Sequence, residues 1–116
     1  MNYSFVSHTA SQDWGHSRVT VESDGQGSIR LYQYNDDLST VYVCDLHVSE
    51  FERRKGVGMA LLKNSENYGR AIGAAKIRLW VKKDSWMHNW YLRLGYSFLD
   101  DNADLPGNVW LEKELA

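Results

Sequence analysis

The residues best suited to chemistry form a short cationic, glycine-containing segment in the middle of the chain. They are Arg53, Arg54, Lys55, Gly56, Val57 and Gly58. An apolar run that predicts a strand, residues 41–48, precedes this segment, and a run with helical spacing, residues 57–72, follows it. Glycines at the start of a helix let backbone amides approach a ligand closely, and no Ser, Thr, Asp or Asn stands at positions 55–58 to cap them. Free N–H groups, the helix dipole and three cationic side chains together predict a phosphate-binding site.

A second group of candidate residues lies near the end of another run with helical spacing, residues 85–94. Trp90 and Tyr91 form an aromatic pair there, and Gly95 and Tyr96 follow. A tyrosine has a reference pKa of about 10, so its hydroxyl holds its proton at pH 7 and can serve as a proton donor. The alternative interpretation of Tyr91 is a half-buried aromatic side chain on a helix face, as is expected of Trp90.

Length, charge and cysteine content limit the class of protein. The chain has 116 residues and a net charge of -2, which fits one domain and gives no basis for general nucleic-acid or membrane binding. No apolar stretch is long enough to span a bilayer, and residues 1–4 lack the blocks of a signal peptide. The single cysteine, Cys44, cannot form an internal disulfide and is expected to face the core, which fits a reducing cytoplasmic setting. The histidines and the cysteine show no metal-ligand spacing, so no metal site is predicted.

The remaining elements are expected to form a sheet around one strand–helix–strand unit. Alternating or apolar runs predict strands at residues 3–8, 17–23, 28–34, 40–48, 76–82, 96–99 and 109–114. Turns at residues 24–27 and 35–37 make the early strands antiparallel, whereas a helix between two strands implies a parallel pair. Residues 40–48 are apolar at nearly every position, which predicts a strand covered on both faces.

Side-chain spacing within these elements predicts which faces are buried. The helix at residues 57–72 is expected to end at Gly73. Its apolar face is expected to consist of Val57, Leu61, Tyr68 and Ile72. The strand at residues 76–82 alternates, with apolar Ile77, Leu79 and Val81 on one side. Five Trp and seven Tyr indicate either a core of large side chains or an aromatic-walled pocket, and composition leaves both interpretations open.

These motifs, in this order, resemble the GNAT superfamily of N-acetyltransferases. The pyrophosphate loop of that family reads Arg or Gln, two residues, Gly, one residue, then Gly or Ala, and residues 53–58 match it. Its second signature, an aromatic pair followed by Gly and an aromatic residue, matches residues 90–96. The resemblance covers residues 41–96, and two ordered motifs with a strand between them are more specific than either alone.

The resemblance implies an α/β (α+β) fold in one domain, residues 1–116. The expected sheet is mixed and mostly antiparallel, with a central strand–helix–strand–helix core that binds acyl-CoA.

The resemblance implies an acyltransferase that moves an acetyl group directly from acetyl-CoA to a primary amine of a protein or a small molecule. The strand before the loop would pair with the pantetheine arm, and the loop amides would hold the pyrophosphate. The implied cofactor-binding residues are Leu46, His47, Val48, Arg53, Arg54, Lys55, Gly56, Val57, Gly58, Met59, Asp84 and Tyr91. Among these, Tyr91 matches the tyrosine that protonates the departing thiol.

The reaction also needs a base, because an amine with a reference pKa of about 10.4 arrives protonated. Asp45 and His47 are the first candidates, since they alternate on one face of the strand beside the expected thioester. Glu50, Glu52 and His88 are further candidates. Each has a structural alternative: a carboxylate that satisfies loop amides, or a packed or solvated side chain.

Several features depart from the family pattern. Asp84 stands near the place of a common Asn, and Met87 stands where a small residue is usual. Family members usually begin with a strand and two helices that cover the acceptor site, whereas residues 1–40 contain no amphipathic helix. The acceptor groove is therefore expected to be open or to be completed by a second subunit, and dimers are common in the family. An open groove suits a protein side chain or terminus as the amine acceptor.

Two other functions stay open at this point. One is a catalytically inactive module on the same fold that binds CoA or a protein partner. The other is a nucleotide-phosphate binder without thioester chemistry. A P-loop is excluded because no Gly-Lys-Ser/Thr follows the glycines, and the dinucleotide-binding spacing is missing.

Overall fold

A computed structural model describes residues 4–11, 16–22, 27–34, 36–48 and 56–115, which form seven strands and two helices. In chain order they are β1 (Ser4–Ser11), β2 (His16–Glu22), β3 (Gly27–Tyr34), β4 (Asp37–Val48), α1 (Val57–Ala71), β5 (Lys76–Lys82), α2 (Trp86–Arg93), β6 (Ser97–Asp101) and β7 (Asn108–Glu114). The strands make one sheet in the order β1-β2-β3-β4-β5-β7-β6. Only β4 and β5 are parallel, and the other pairs are antiparallel. The mixed, mostly antiparallel sheet expected from the sequence is confirmed.

The first three strands follow from short alternating runs in the sequence. β1, β2 and β3 pair in sequence order, and the described residues before β4 contain no helix. The turn predicted at residues 24–27 lies outside the described residues apart from Gly27, which begins β3. Gly27 is required there because a Cβ at this position would lie 2.8 Å from the carbonyl oxygen of His47. No helix in the described part of the chain is long and apolar enough to cross a membrane.

The core lies between one face of the sheet and the two helices. Alternation in β5 buries Ile77, Leu79 and Val81, as the sequence predicts. The buried residues of α1 are Val57, Leu61, Leu62, Ser65, Glu66 and Gly69. The predicted helix face was wrong only at Ile72, which is exposed, whereas Tyr68 is partly buried and packs against the core. Ile72 follows the last helical residue, so the end of the helix turns it away from the sheet.

The opposite face of the sheet carries aromatic rings in place of a helix layer. Tyr32 stacks on Tyr42 with ring centroids 5.1 Å apart, and Tyr42 meets Trp110 edge-on at 5.9 Å. Both described helices pack on the other face, so the prediction that β4 is covered on both faces was wrong. The expected core position of Cys44 was wrong for the same reason, because this side chain is exposed.

An irregularity in β4 changes which of its side chains face the core. Arg30 pairs with Asp45 and Leu31 with Val43, so Cys44 is an extra residue opposite the β3 ladder. A bulge of this kind reverses the alternation of the strand beyond it. Leu46 therefore lies opposite the buried Ile29 and packs against the core.

The parallel contact between β4 and β5 is short. Thr40, Val41 and Tyr42 pair with residues 76–78 of β5, and the described residues of β5 make no pair with the end of β4. The two strands separate beyond Tyr42. This separation leaves space beside the C-terminal end of β4.

A buried polar cluster joins α1 to the last strand. Glu66 of α1 is 4% exposed, and it accepts a hydrogen bond of 2.8 Å from the Tyr96 hydroxyl. The Nζ atom of Lys113 donates to both carboxylate oxygens of Glu66 at 3.2 Å and to the carbonyl oxygen of Leu94 at 3.0 Å. A buried carboxylate is tolerated only where it is paired and hydrogen-bonded, and this cluster meets both conditions.

We expect Lys113→Met to lower the free energy of unfolding by about 2 kcal/mol, because it leaves the buried Glu66 carboxylate without its cation. The matched control is Lys76→Met, which breaks the more exposed pair between Lys76 and Glu112 at 3.5 Å. That change should cost less than about 1 kcal/mol. Urea unfolding of both variants measures the difference, and equal losses would contradict the importance of the buried cluster.

Candidate active site

A cleft of about 800 Å³ opens where the end of β4, the start of α1 and the outer side of α2 meet. Its lining residues are Leu46, His47, Val48, Gly56, Gly58, Met59, Trp86, Met87 and Trp90. The structure thus brings the end of β4 together with Gly56 and Gly58 of the glycine-containing segment. His47 is the one titratable side chain among the described lining residues, and the walls are otherwise apolar.

The start of α1 borders this cleft. Gly56 has φ +81°, a left-handed conformation that costs a residue with a Cβ about 1–2 kcal/mol. No side chain caps the helix, and the first helical hydrogen bond runs from the Ala60 N–H to the Gly56 carbonyl at 3.0 Å. The amides of residues 57–59 therefore have no acceptor within the helix, as the sequence predicts. Arg53, Arg54 and Lys55 lie outside the described residues.

Gly58 keeps the space between α1 and the facing walls open. A Cβ at this position would lie 3.5 Å from Val48 Cγ2 and 3.8 Å from Trp90 Cη2. Any larger side chain would project from here toward these two residues. Val57, by contrast, is fully buried, so it can contribute its amide but not its side chain to a ligand.

The turn before α2 is held by local hydrogen bonds. Ser85 is the N-cap and accepts from the His88 N–H at 3.2 Å. Asp84 has φ +62°, a left-handed conformation that Asp and Asn adopt more readily than other side chains, and its N–H donates to His88 Nδ1 at 2.9 Å. His88 thus uses a ring nitrogen to hold the turn. The side chain of Asp84 is exposed and is not among the described lining residues.

Tyr91 packs behind Trp90, which forms part of the cleft wall. It is 4% exposed, and its ring packs edge-on against Trp90 at 5.1 Å and Tyr96 at 5.5 Å. Burial raises the pKa of the Tyr91 hydroxyl above its ordinary value. The group therefore keeps its proton throughout the neutral range.

The first two candidates for the base are His47 and Asp45. His47 is exposed and lines the cleft. The side chain of Asp45 lies outside the described part of the chain, as do Glu50 and Glu52. The backbone of Asp45 pairs with Arg30, directly after the extra residue of β4.

The sequence analysis left an aromatic-walled pocket as one of two interpretations, and it did not assign the residues that form this wall. Trp86 and Trp90 are stacked with ring centroids 6.1 Å apart and an interplanar angle of 12°. Their spacing of four residues places them on one face of α2, and this spacing could have indicated the pair.

The cleft as a whole offers amide donors at one end and apolar, flat walls along its length. That combination suits an elongated ligand that carries a phosphate group.

Comparisons with known proteins define the class. The model of the acetyltransferase (GNAT) family matches residues 4–96, so the chain belongs to this family. The match spans most of the chain, including β1 to β3 and both signature motifs. No curated protein showed significant similarity to the chain.

Solved structures of acetyltransferases share the fold. A protein described as a GNAT-family acetyltransferase from Desulfovibrio desulfuricans has a TM-score of 0.75 at 15% identity, over 99% of this chain and 100% of that one. A GNAT-family acetyltransferase from Elizabethkingia anophelis, solved with acetyl-CoA bound, has a TM-score of 0.72 at 16% identity, over 97% and 98%. Aminoglycoside 6′-acetyltransferase type Ii has a TM-score of 0.70 at 22% identity, over 85% and 70%.

Proposed function

We propose that this protein is an N-acetyltransferase that moves an acetyl group from acetyl-CoA to a primary amine. The observation that carries the proposal is the cleft between β4, α1 and α2 in a chain of the GNAT family. Its uncapped helix start supplies phosphate donors, and its apolar walls suit the pantetheine arm.

The cleft residues fit acetyl-CoA as the cosubstrate. The amides of Val57, Gly58 and Met59 have no acceptor within α1 and would bind the pyrophosphate, with the cationic residues 53–55 as further partners. Leu46 and His47 lie in the part of β4 that does not pair with β5. Their backbone groups would therefore pair with the pantetheine amides. The acetyl-CoA bound to the similar Elizabethkingia protein supports this assignment.

The chemical step we propose is direct transfer. Acetyl-CoA supplies the acyl group as a thioester. The neutral amine nitrogen forms a bond to the carbonyl carbon, the carbon–sulfur bond breaks, and the nitrogen loses a proton. CoA leaves as a thiolate, which then takes up a proton from the solvent to give the thiol. His47 lines the cleft and would accept that proton, directly or through water, with Asp45 as the alternative base.

Tyr91 would stabilise the departing sulfur by donating a hydrogen bond from its hydroxyl. Its raised pKa favours one of two versions of this role. A thiol has a reference pKa of about 8.5, well below that of a buried tyrosine, so complete proton transfer from Tyr91 to a thiolate is unfavourable. A hydrogen bond to the developing anion needs no such transfer and is strengthened in a site with little water. Asp84 is then limited to shaping the turn before α2.

The acceptor is an amine, and an exposed amine of a protein fits a groove that no helix covers among the described residues before β4. Strands β1 to β3 occupy the described residues before β4, without a helix to enclose a small acceptor. The similar aminoglycoside 6′-acetyltransferase supports an amine acceptor in general. A second copy of the chain that completes the groove is the alternative arrangement.

We predict that Gly56→Glu weakens acetyl-CoA binding more than tenfold, because a carboxylate at the helix start repels the pyrophosphate. Calorimetric titration measures the affinity. The matched control is Gly56→Gln, which has the same size and the same backbone strain without the charge. Equal affinities of the two variants would contradict a phosphate contact at this helix start.

We predict that Tyr91→Phe lowers turnover about 100-fold and leaves the affinity for acetyl-CoA nearly unchanged, because the hydroxyl acts on the departing sulfur only during reaction. Release of CoA thiol in the presence of a lysine peptide or a small primary amine measures turnover. Tyr96→Phe is the matched control, since its hydroxyl serves the Glu66 cluster and its loss should act on stability. Unchanged turnover in Tyr91→Phe would remove this residue from the mechanism.

A second candidate function is a CoA-binding or protein-binding module without turnover. The observation that favours it is the burial of Tyr91, which is 4% exposed and is not among the described lining residues of the cleft. Tight acetyl-CoA binding with no thiol release for any amine tested would support the module and contradict the enzyme.

A further inference from the structure

Trp86 is unusually exposed for a residue of its size. Its side chain is 67% accessible, although it lines the cleft and lies on the first turn of α2. Tryptophan is normally mostly buried, since its large apolar surface is unfavourable in water. The nearly parallel ring of Trp90, with its centroid 6.1 Å away, covers part of one face of the Trp86 indole. The other face is open to solvent at the cleft.

The indole pair begins next to the helix start of α1. Trp90 Cη2 lies 3.8 Å from the position of a Cβ on Gly58, so the inner ring of the pair borders the first turn of α1. Trp86 continues the stack outward from there. The described lining residues around the pair, Met59 and Met87 among them, carry no charge. Recognition on this wall therefore depends on shape and stacking.

We propose that the open face of Trp86 is a stacking platform for the purine ring of the acyl-CoA. This inference rests on the proposed function. Adenine is the one flat aromatic group of that molecule, and it is joined through a single ribose to the phosphates. With the phosphates at the start of α1, the ring lies within reach of an indole stack that borders the same turn. A saturated pantetheine or acyl chain would pack equally well on the flexible methionines and needs no flat surface.

Stacking on an exposed indole has a measurable effect. Removing an aromatic residue on which a base stacks typically weakens binding by about tenfold or more. Trp90 supports Trp86 in the parallel orientation, which limits the side-chain freedom that a ligand would otherwise have to restrict. The platform thus adds affinity for donors that carry an adenosine group.

The test compares two donors, acetyl-CoA and S-acetyl-4′-phosphopantetheine, which lacks the adenosine part. Affinities are measured by calorimetry with the wild-type chain, Trp86→Ala and the matched control Trp80→Ala. Trp80 is also exposed, at 43%, but it is on β5 and is not among the described lining residues of the cleft. We expect Trp86→Ala to bind acetyl-CoA about tenfold more weakly and the phosphopantetheine donor as well as the wild-type chain does. Trp80→Ala should change neither affinity, and Trp86→Phe should recover part of the loss.

The other outcomes overturn the platform in distinguishable ways. Equal weakening of both donors by Trp86→Ala would mean that Trp86 contacts the pantetheine arm, and no weakening of either would mean that it contacts neither. In either case, binding of acetyl-CoA by the wild-type chain would leave the proposed function intact. A wild-type chain that binds neither donor would contradict the proposed function and the platform together. Circular dichroism of each variant checks that the exposed substitutions leave the fold unchanged.

Discussion

The short parallel contact between β4 and β5 is the constraint on which the site depends. The two strands pair over three residues of each and then separate, so the end of β4 is free of a β5 neighbour in the described structure. The bulge at Cys44 lies just beyond the last pair and reverses the alternation of β4. Leu46 and Val48 consequently pack inward and hold the strand, while His47 stays accessible to a ligand. A continuous, regular β4–β5 ladder would close the cleft.

The two helices complete the cleft from opposite sides for different physical reasons. α1 begins after a left-handed glycine without a side-chain cap, which leaves amide donors available. α2 begins with a serine cap and places two stacked indoles along the other wall. The Glu66 cluster connects α1 with β7 and with the segment that follows α2, so it fixes both walls to the same sheet. The donors and the walls are therefore held in place before any ligand arrives.

Much of this arrangement could be predicted from the sequence, because its signals are local. The alternation of β5, the glycine that ends α1 and the uncapped helix start all depend on residues close together in the chain. The errors concern contacts between distant segments. The exposure of Cys44 depends on whether a helix covers the second face of the sheet, and the exposure of Ile72 depends on where α1 stops against the core. The bulge in β4 is set by its register with β3, and the spacing of β4 alone does not reveal it. Helical spacing could have predicted the pair of Trp86 and Trp90. The cleft that this pair lines could be identified only from the folded structure.

Calorimetric titration of acetyl-CoA, CoA and ATP into the full chain tests the central claim most directly. A cleft with phosphate donors at one end and a pantetheine track along β4 should bind acetyl-CoA and CoA with micromolar affinity. ATP shares the adenosine phosphates but has no pantetheine arm, so it should bind far more weakly. Absence of acetyl-CoA binding, or equal affinity for ATP, would contradict the assignment of this cleft to acyl-CoA.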